Sequence, residues 1–550
     1  MKSIAANTWI QGAIIGIICF FSFFVYLGAN DVNRMEARNF ITAREMVIDS
    51  HWLIPTMNGE IRLAKPPLPT WITAIARIAG KNTDNLGILR LPASMMASLM
   101  VFALWGFIRT VSEDLWLPII AAMIFATNPI VIEMGRRGTW DIYSHSFMML
   151  GIWSLSYGLN KKESAYGIFA IVGALLSFSF MSKGPVAFYS LLVPFLVGYI
   201  AVFGLEKIRK KWKALLLAFV LFLILSTIWP GIIYFQYPDI LIHVIIQETA
   251  AWSNRHIEPF YFYAPFAAYT GIWMIFVIAG LIKPYAGKKI ASFYSYRFII
   301  IWLVLCLLFL SILPEKKERY LLPAILPMSA LAGCLWRHLI QAHAENRLTK
   351  WDTRCVMMHT LLGFIASIVI PAIIIKFGVS NRLLSMGSGI GWSMVFILTS
   401  TIILVLGMKK AILQIFISSL TLVCLFNMSV LPVYFKSPLY KHKQYIDNHP
   451  LRSIRQIDAL NGLKFYSTGD IDIRSIWDVG VLVRPWNPQC ESLPSVNEPI
   501  ALISRFYPTI KMPSKYLNEI EITLLEKYPY PSKKTHPVIY LTLISPKHYS

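Results

Sequence analysis

The chain has 550 residues, 56% of them hydrophobic, a formal net charge of +22 and a mean hydropathy of +0.57. Such values exclude a soluble globular protein. Apolar runs of spanning length recur along the chain, and over most of it the short alternating segments of an outer-membrane barrel are missing. The expected fold is a polytopic α-helical membrane protein.

Taken in chain order, the apolar runs predict thirteen spans, at roughly 9–29, 90–109, 115–132, 142–159, 165–181, 185–204, 213–235, 260–282, 297–313, 320–337, 358–376, 389–407 and 411–434. The first run has no small-residue cleavage site and is read as a retained span. With a cytoplasmic N-terminus, the inside loops collect Lys161–Lys162, Lys207–Lys213, Lys283–Arg297, Arg337–Arg354 and Lys409–Lys410. That bias follows the positive-inside rule. It accounts for much of the net charge through orientation and anionic lipid headgroups, with no nucleic-acid partner. An odd number of spans places the C-terminal part outside. The expected division is a transmembrane domain over 1–435, with an outer first loop at 30–89, and a soluble α/β domain over 436–550.

The charged part of the first loop, residues 30–66, carries Asp31, Arg34, Glu36, Arg38, Arg44, Glu45 and Lys65. Basic residues on the outer face run against the topology rule, so acid and base here suggest chemistry at a membrane surface. Met35–Asp49 reads as an amphipathic helix lying on the membrane, with Phe40, Ile41, Met46 and Val47 entering the interface. Asp31 and Glu36, with Asp141 further along, are candidate carboxylates for orienting or deprotonating an acceptor. Lys65 precedes Pro66-Pro67, which holds it in an extended backbone; it is a candidate for neutralising a phosphate, with snorkelling as the plainer reading.

Further along, Asp141 stands at the start of the fourth span, where it is equally a helix cap. Lys183-Gly184-Pro185 makes a hairpin between two spans. Arg255, His256 and Glu258 form an outer cluster ahead of the aromatic run at 259–263, whose tyrosines suit an interfacial belt. Lys316, Lys317, Arg319 and Tyr320 lie at a span entrance where cations can hold an anionic headgroup. Beyond Lys436, the stretches Leu463–Tyr466, Ile476–Val483, Pro499–Ile503 and Val538–Leu543 read as strands, after a helical-looking Tyr440–Leu460. Four of six cysteines fall in apolar runs and a fifth abuts one, so no disulfide framework is expected. No nucleotide-binding, metalloprotease or nucleophile-elbow motif occurs.

Together EARNFITAREM, NGEIRLAKPPLPTW, RLPAS at 90–94, the outer Asp141, SKG at 182–184 and KKERYLLPAILP at 316–327 resemble the bacterial branch of the protein O-mannosyltransferase-like superfamily, of GT-C architecture. The aminoarabinose transferases that modify lipid A are its nearest well-known members. The resemblance covers roughly residues 9–434 and implies sugar transfer from undecaprenyl phosphate to a periplasmic-side acceptor at a bacterial inner membrane. It implies direct transfer with inversion, and no cofactor is expected. The family's acidic pair falls on Met35 and Glu36, so its leading aspartate is absent here. Its arginine matches Arg38, its lysine-proline motif Lys65-Pro66, its outer aspartate Asp141 and its lysine-glycine hairpin Lys183-Gly184. The acidic residue before that lysine in the aminoarabinose enzymes is Ala64 here. These departures argue against assuming an aminoarabinose substrate. The expected donor is a polyprenyl-phosphate-linked sugar, and the expected acceptor is lipid A or another envelope glycolipid. Arg38, Lys65, Lys183, Arg255, Lys316, Lys317 and Arg319 are the candidates for holding the donor phosphate, and Lys65, Lys183, Arg255 and Lys316 or Arg319 for stabilising it as it departs. The rivals are a protein O-glycosyltransferase and a lipid or solute transporter; the latter usually keeps ionisable groups deep in its spans, where this chain has few.

Overall fold

The computed structural model describes residues 7–163, 165–254, 256–436, 450–468, 471–487, 491, 494, 498–510, 512–529 and 538–547. The chain divides into two compact units. The first comprises residues 1–29, 63–69 and 90–434; the second comprises 30–62, 70–89 and 435–550. First-loop residues therefore cluster with the C-terminal part, a different grouping from a boundary at 435/436.

The first unit is a helical membrane body. Among the described residues eight helices are long and apolar enough to cross a membrane, or up to ten if each of two sharply bent pairs is one span. Two shorter apolar helices, Thr8–Phe24 and Phe188–Phe203, join them. The helix Leu322–Ala344 is buried along most of its length. Small residues let its neighbours approach: a side-chain carbon at Gly333 would sit 3.0 Å from the Cβ of Ala121.

The first helix ends early, in a π-turn over Phe20–Phe24, leaving carbonyls that need donors inside the protein. Arg136 donates to the carbonyls of Ser22, Val25 and Tyr26, Arg90 donates to that of Leu27, and the Ser94 hydroxyl lies within reach of those of Phe23 and Gly135. The RLPAS and GRRG stretches thus anchor the broken end of the first span.

The second unit is built on a five-stranded sheet, β3 (Lys464–Ser467), β4 (Val483–Pro485), β5 (Ile500–Ser504), β6 (Ile520–Pro529) and β7 (Val538–Pro546), in the order β4-β3-β5-β7-β6. The pairs β3–β4 and β3–β5 are parallel, whereas β7 runs antiparallel to both β5 and β6. Side chains alternate between faces. Phe465, Ala501, Ile503 and Leu541 join one core, and Tyr466, Ile500, Leu502 and Ile544 join another. A separate two-stranded hairpin, β1 (Thr56–Met57) with β2 (Glu60–Ile61), lies in the first loop.

Two sequence expectations are corrected here. Ile476–Val483 is not one strand. Asp472 caps a helix over Ile473–Val479, and Gly480, in the left-handed conformation, ends it before β4 begins. The amphipathic first-loop helix, Arg34–Ile48, turns its apolar face to protein and not to lipid. Ala37, Phe40 and Ile41 are buried in the sheet's first core, with Phe40 5.5 Å from the Trp477 ring, and Met46 is buried beside Ala43 and Ala74. The expected helix over Tyr440–Leu460 lies largely outside the described residues; its described end forms 3-10 turns.

Polar contacts reinforce this packing. Arg44 lies over the Trp477 ring at 4.3 Å and donates to the Trp477 carbonyl and to Asp84, which also takes Arg455 at 3.1 Å. Burial lowers the Arg44 pKa to about 10, opposed by Asp84. Glu45, also buried, accepts from the Thr56 hydroxyl and from the backbone N–H groups of Asn58 and Gly59, fastening the hairpin to the helix.

Replacing Trp477 with alanine should cost about 3–5 kcal/mol of stability in the second unit. Hydrogen exchange should rise in Arg34–Ile48 as well as in the sheet. Equal protection of Arg34–Ile48 in the two proteins would contradict this packing.

Asp472 supplies a pH-dependent contribution. Burial raises its proton affinity, but Arg474 and Arg34 outweigh this and hold the carboxyl below its usual range. Its contribution is present above the unfolded carboxylate value of about 3.9 and is lost as pH falls through the folded value. Asp472→Asn, which keeps the helix cap and removes the charge, should therefore lower the melting temperature at neutral pH, by an amount equivalent to about 0.5–1 kcal/mol, and by less near pH 3.

Candidate active site

Asp141 is the centre of the polar cluster in the first unit. It lies in the first turn of the helix Trp140–Asn160 and is 2% exposed. Lys183, the last residue of the helix Tyr166–Lys183, pairs with its Oδ1. Gly184, at φ +67°, ends that helix, and Pro185 follows. The Arg319 Nε stands 4.0 Å from Asp141 Oδ2. His145, one turn on, places Nδ1 2.8 Å from the Asp141 carbonyl oxygen.

Tyr320 organises the cations around this carboxylate. Lys183 Nζ, Arg319 Cζ and Lys317 Nζ lie 4.8, 5.5 and 5.7 Å from its ring centroid. Such contacts favour cations over the ring face. The Tyr320 hydroxyl donates to Glu315, which also takes Lys317 at 2.6 Å.

The two outer clusters singled out in the sequence pair with each other. Ile257 bridges Glu315 in antiparallel fashion, with Lys316 N–H donating to the His256 carbonyl and Glu258 N–H to that of Pro314. Lys316 Nζ donates to the carbonyls of Glu258 and Leu313, and desolvation lowers its pKa against the opposing charge of Glu258. Lys316 thus holds loop backbone. His256 and Glu258 are exposed, and His256 adopts φ +51°. Arg255 lies outside the described residues.

Lys65 belongs to the same unit, near enough for its charge to act on that of Lys183. Its Nζ bonds Glu248 Oε2 at 2.7 Å. The first-loop candidates belong to the second unit: Arg38 is exposed, Asp31 half-buried and Glu36 fully buried. Glu36 closes a capping box, accepting the Asn33 backbone N–H while the Asn33 side chain accepts those of Met35 and Glu36.

The structure therefore unites Asp141, Lys183, Arg319, Tyr320, Lys317 and Lys65 in one unit. Sequence reading missed Glu315, His145 and Glu248. Glu315 stood in plain view inside PEKKER; Glu248 offered only a lone acid in an apolar helix.

Comparison with known proteins fits this arrangement. Residues 64–229, which include Lys65, Asp141 and Lys183, match the dolichyl-phosphate-mannose-protein mannosyltransferase family. An undecaprenyl phosphate-alpha-4-amino-4-deoxy-L-arabinose arabinosyl transferase of Pseudomonas fluorescens Pf-5 is 21% identical over 370 residues, covering 66% of this chain and 61% of its own. A counterpart from Sodalis glossinidius is 25% identical over 317 residues, 55% of this chain and 54% of its own. The chain thus spans about half to three fifths of the length of these relatives. The crystal structure of ArnT from Cupriavidus metallidurans bound to undecaprenyl phosphate superposes with a TM-score of 0.67 over 97% of each chain, at 15% identity. The fold is that of the ArnT structure. The sheet in the second unit is part of that fold, since the match runs over nearly the whole of both chains.

Removing Lys183 should leave the buried Asp141 charge with only the more distant Arg319. Lys183→Met is expected to destabilise the protein by about 3–5 kcal/mol, and adding Asp141→Asn should recover much of that loss. Thermal unfolding of the single and double variants in detergent checks this; additive effects would deny the coupling.

Proposed function

We propose that this membrane protein transfers a sugar from a polyprenyl phosphate, undecaprenyl phosphate, to lipid A or another envelope glycolipid. It acts on the periplasmic side of a bacterial inner membrane, with its N-terminus in the cytoplasm and its C-terminal part outside. The observation that carries the reading is the pairing of Lys183 and Arg319 with one buried carboxylate, with Lys65 in the same unit, in the fold of an enzyme crystallised with undecaprenyl phosphate.

In the reaction, the bond from the anomeric carbon to the phosphate oxygen breaks and one to an acceptor oxygen forms. The phosphate leaves with the bonding electrons, and Lys65, Lys183 and Arg319 stabilise its growing charge. Asp141 holds Lys183, at least, in position for that task. A hydroxyl acceptor must surrender a proton, and a phosphate monoester acceptor, already anionic, need only be oriented. Of the first-loop carboxylates, Glu36 closes its own helix cap, whereas Asp31 is half-buried. The match to a protein mannosyltransferase family favours a second reading, in which the acceptor is a periplasmic polypeptide.

Lipid A from cells with and without the protein should differ by the mass of one sugar. Lys65→Met and Asp141→Asn should each reduce that species on the order of a hundredfold. Unchanged lipid A in cells that make the protein would remove this acceptor, and a sugar mass on periplasmic proteins would establish the second reading.

A further inference from the structure

Lys65 is held by a carboxylate that the proposed chemistry does not use. The Lys65 Nζ to Glu248 Oε2 distance is 2.7 Å, and the two side chains are 20% and 27% exposed. Lys65 lies in the stretch Ala64-Lys65-Pro66-Pro67, whose prolines restrict its backbone. Glu248 comes from a distant part of the sequence, the helix Pro238–Asn254, whose Ile242, Ile245 and Ile246 are exposed. Among its described residues, Leu241, Val244 and Glu248 are half-buried. Lys65 and Lys183 carry like charge in the same unit, and Glu248 supplies the opposite sign beside Lys65.

On the reading that Lys65 receives the donor phosphate, we infer that Glu248 is a built-in competitor for that site, a positioning residue that occupies Lys65 and is displaced by the phosphate. A carboxylate and a phosphate oxygen present the same acceptor to an ammonium group. Being tethered, Glu248 competes at high effective concentration. Its consequence differs between the two ends of the reaction. The donor carries a phosphodiester with one negative charge, whereas the product is a monoester of nearly two at neutral pH. The product would therefore hold Lys65 more firmly than the donor does. A returning carboxylate shortens its stay and restores the site for another donor. Partial exposure keeps the ion pair weak enough to exchange.

The test uses the full-length protein in detergent micelles, with undecaprenyl phosphate as the probe. Glu248→Gln, which keeps shape and removes charge, and Glu248→Ala should both tighten binding by roughly three- to tenfold. In a Lys65→Met background the same changes should have no effect, because the residue being competed for is gone. Stronger inhibition of transfer by added undecaprenyl phosphate should accompany the tighter binding. Unchanged or weaker binding in both Glu248 variants overturns the inference while leaving the Lys65 reading intact. Binding to Lys65→Met as tight as to the parent protein overturns the Lys65 reading itself, and the competition with it.

Discussion

A carboxylate buried as completely as Asp141 is tolerable only with cations beside it, because ionised groups lose several kcal/mol of solvation on leaving water. That constraint governs much of the first unit's polar architecture. It requires Lys183 to end its helix at the right height, and the Gly184-Pro185 turn lets the chain reverse there. It also draws in Arg319 from a segment well over a hundred residues away in sequence. Tyr320 then offers those cations an aromatic face, and Glu315 steadies both Tyr320 and Lys317. Fixed charges act most strongly where they are held in place beforehand, and the pairing of Lys183 and Arg319 with Asp141 is a constraint of that kind.

The same logic separates two kinds of lysine that look alike in sequence. Lys183 faces a carboxylate, whereas Lys316, next to Lys317 in the sequence, donates to two backbone carbonyls. The segments 256–258 and 314–316 are held as a short bridge by that side chain. Basic residues beside prolines at a span entrance therefore serve either the ligand or the loop, and only the position of the acceptors decides which.

The membrane architecture was legible because twenty-residue apolar runs leave few alternatives. Asp141 and Lys183 were legible because charge at the mouth of an apolar helix needs a reason. The pairing of Lys65 with Glu248 was not, since nothing local in either segment points to a partner 183 residues away. Periodicity gave the Arg34–Ile48 helix its apolar face but was silent on what covers it. The covering surface, around Trp477, is supplied by a segment more than four hundred residues later. Ile476–Val483 was misread because a short apolar run fits strand or helix equally. Asp472 and Gly480 at its borders were the helix signals that distinguish them. The strand Ile520–Pro529 escaped notice because the exposed Glu521, Thr523 and Lys527 interrupt it and a bulge between Leu524 and Glu526 breaks its alternation, so hydrophobicity alone does not mark it.

The second unit is stitched from the beginning and the end of the chain. Ribosomes deliver the chain from its N-terminus, so the Arg34–Ile48 segment emerges when every later span is still to be made. Phe40, Ile41 and Arg44 must then wait for Trp477 and the sheet before they find their partners. For most of synthesis this segment is an unsatisfied apolar surface beside the membrane, and the unit becomes foldable only after the final span has been inserted. Completion of the polypeptide is thereby coupled to formation of the first loop, and a prematurely ended chain would carry its earliest loop without the core that orders it.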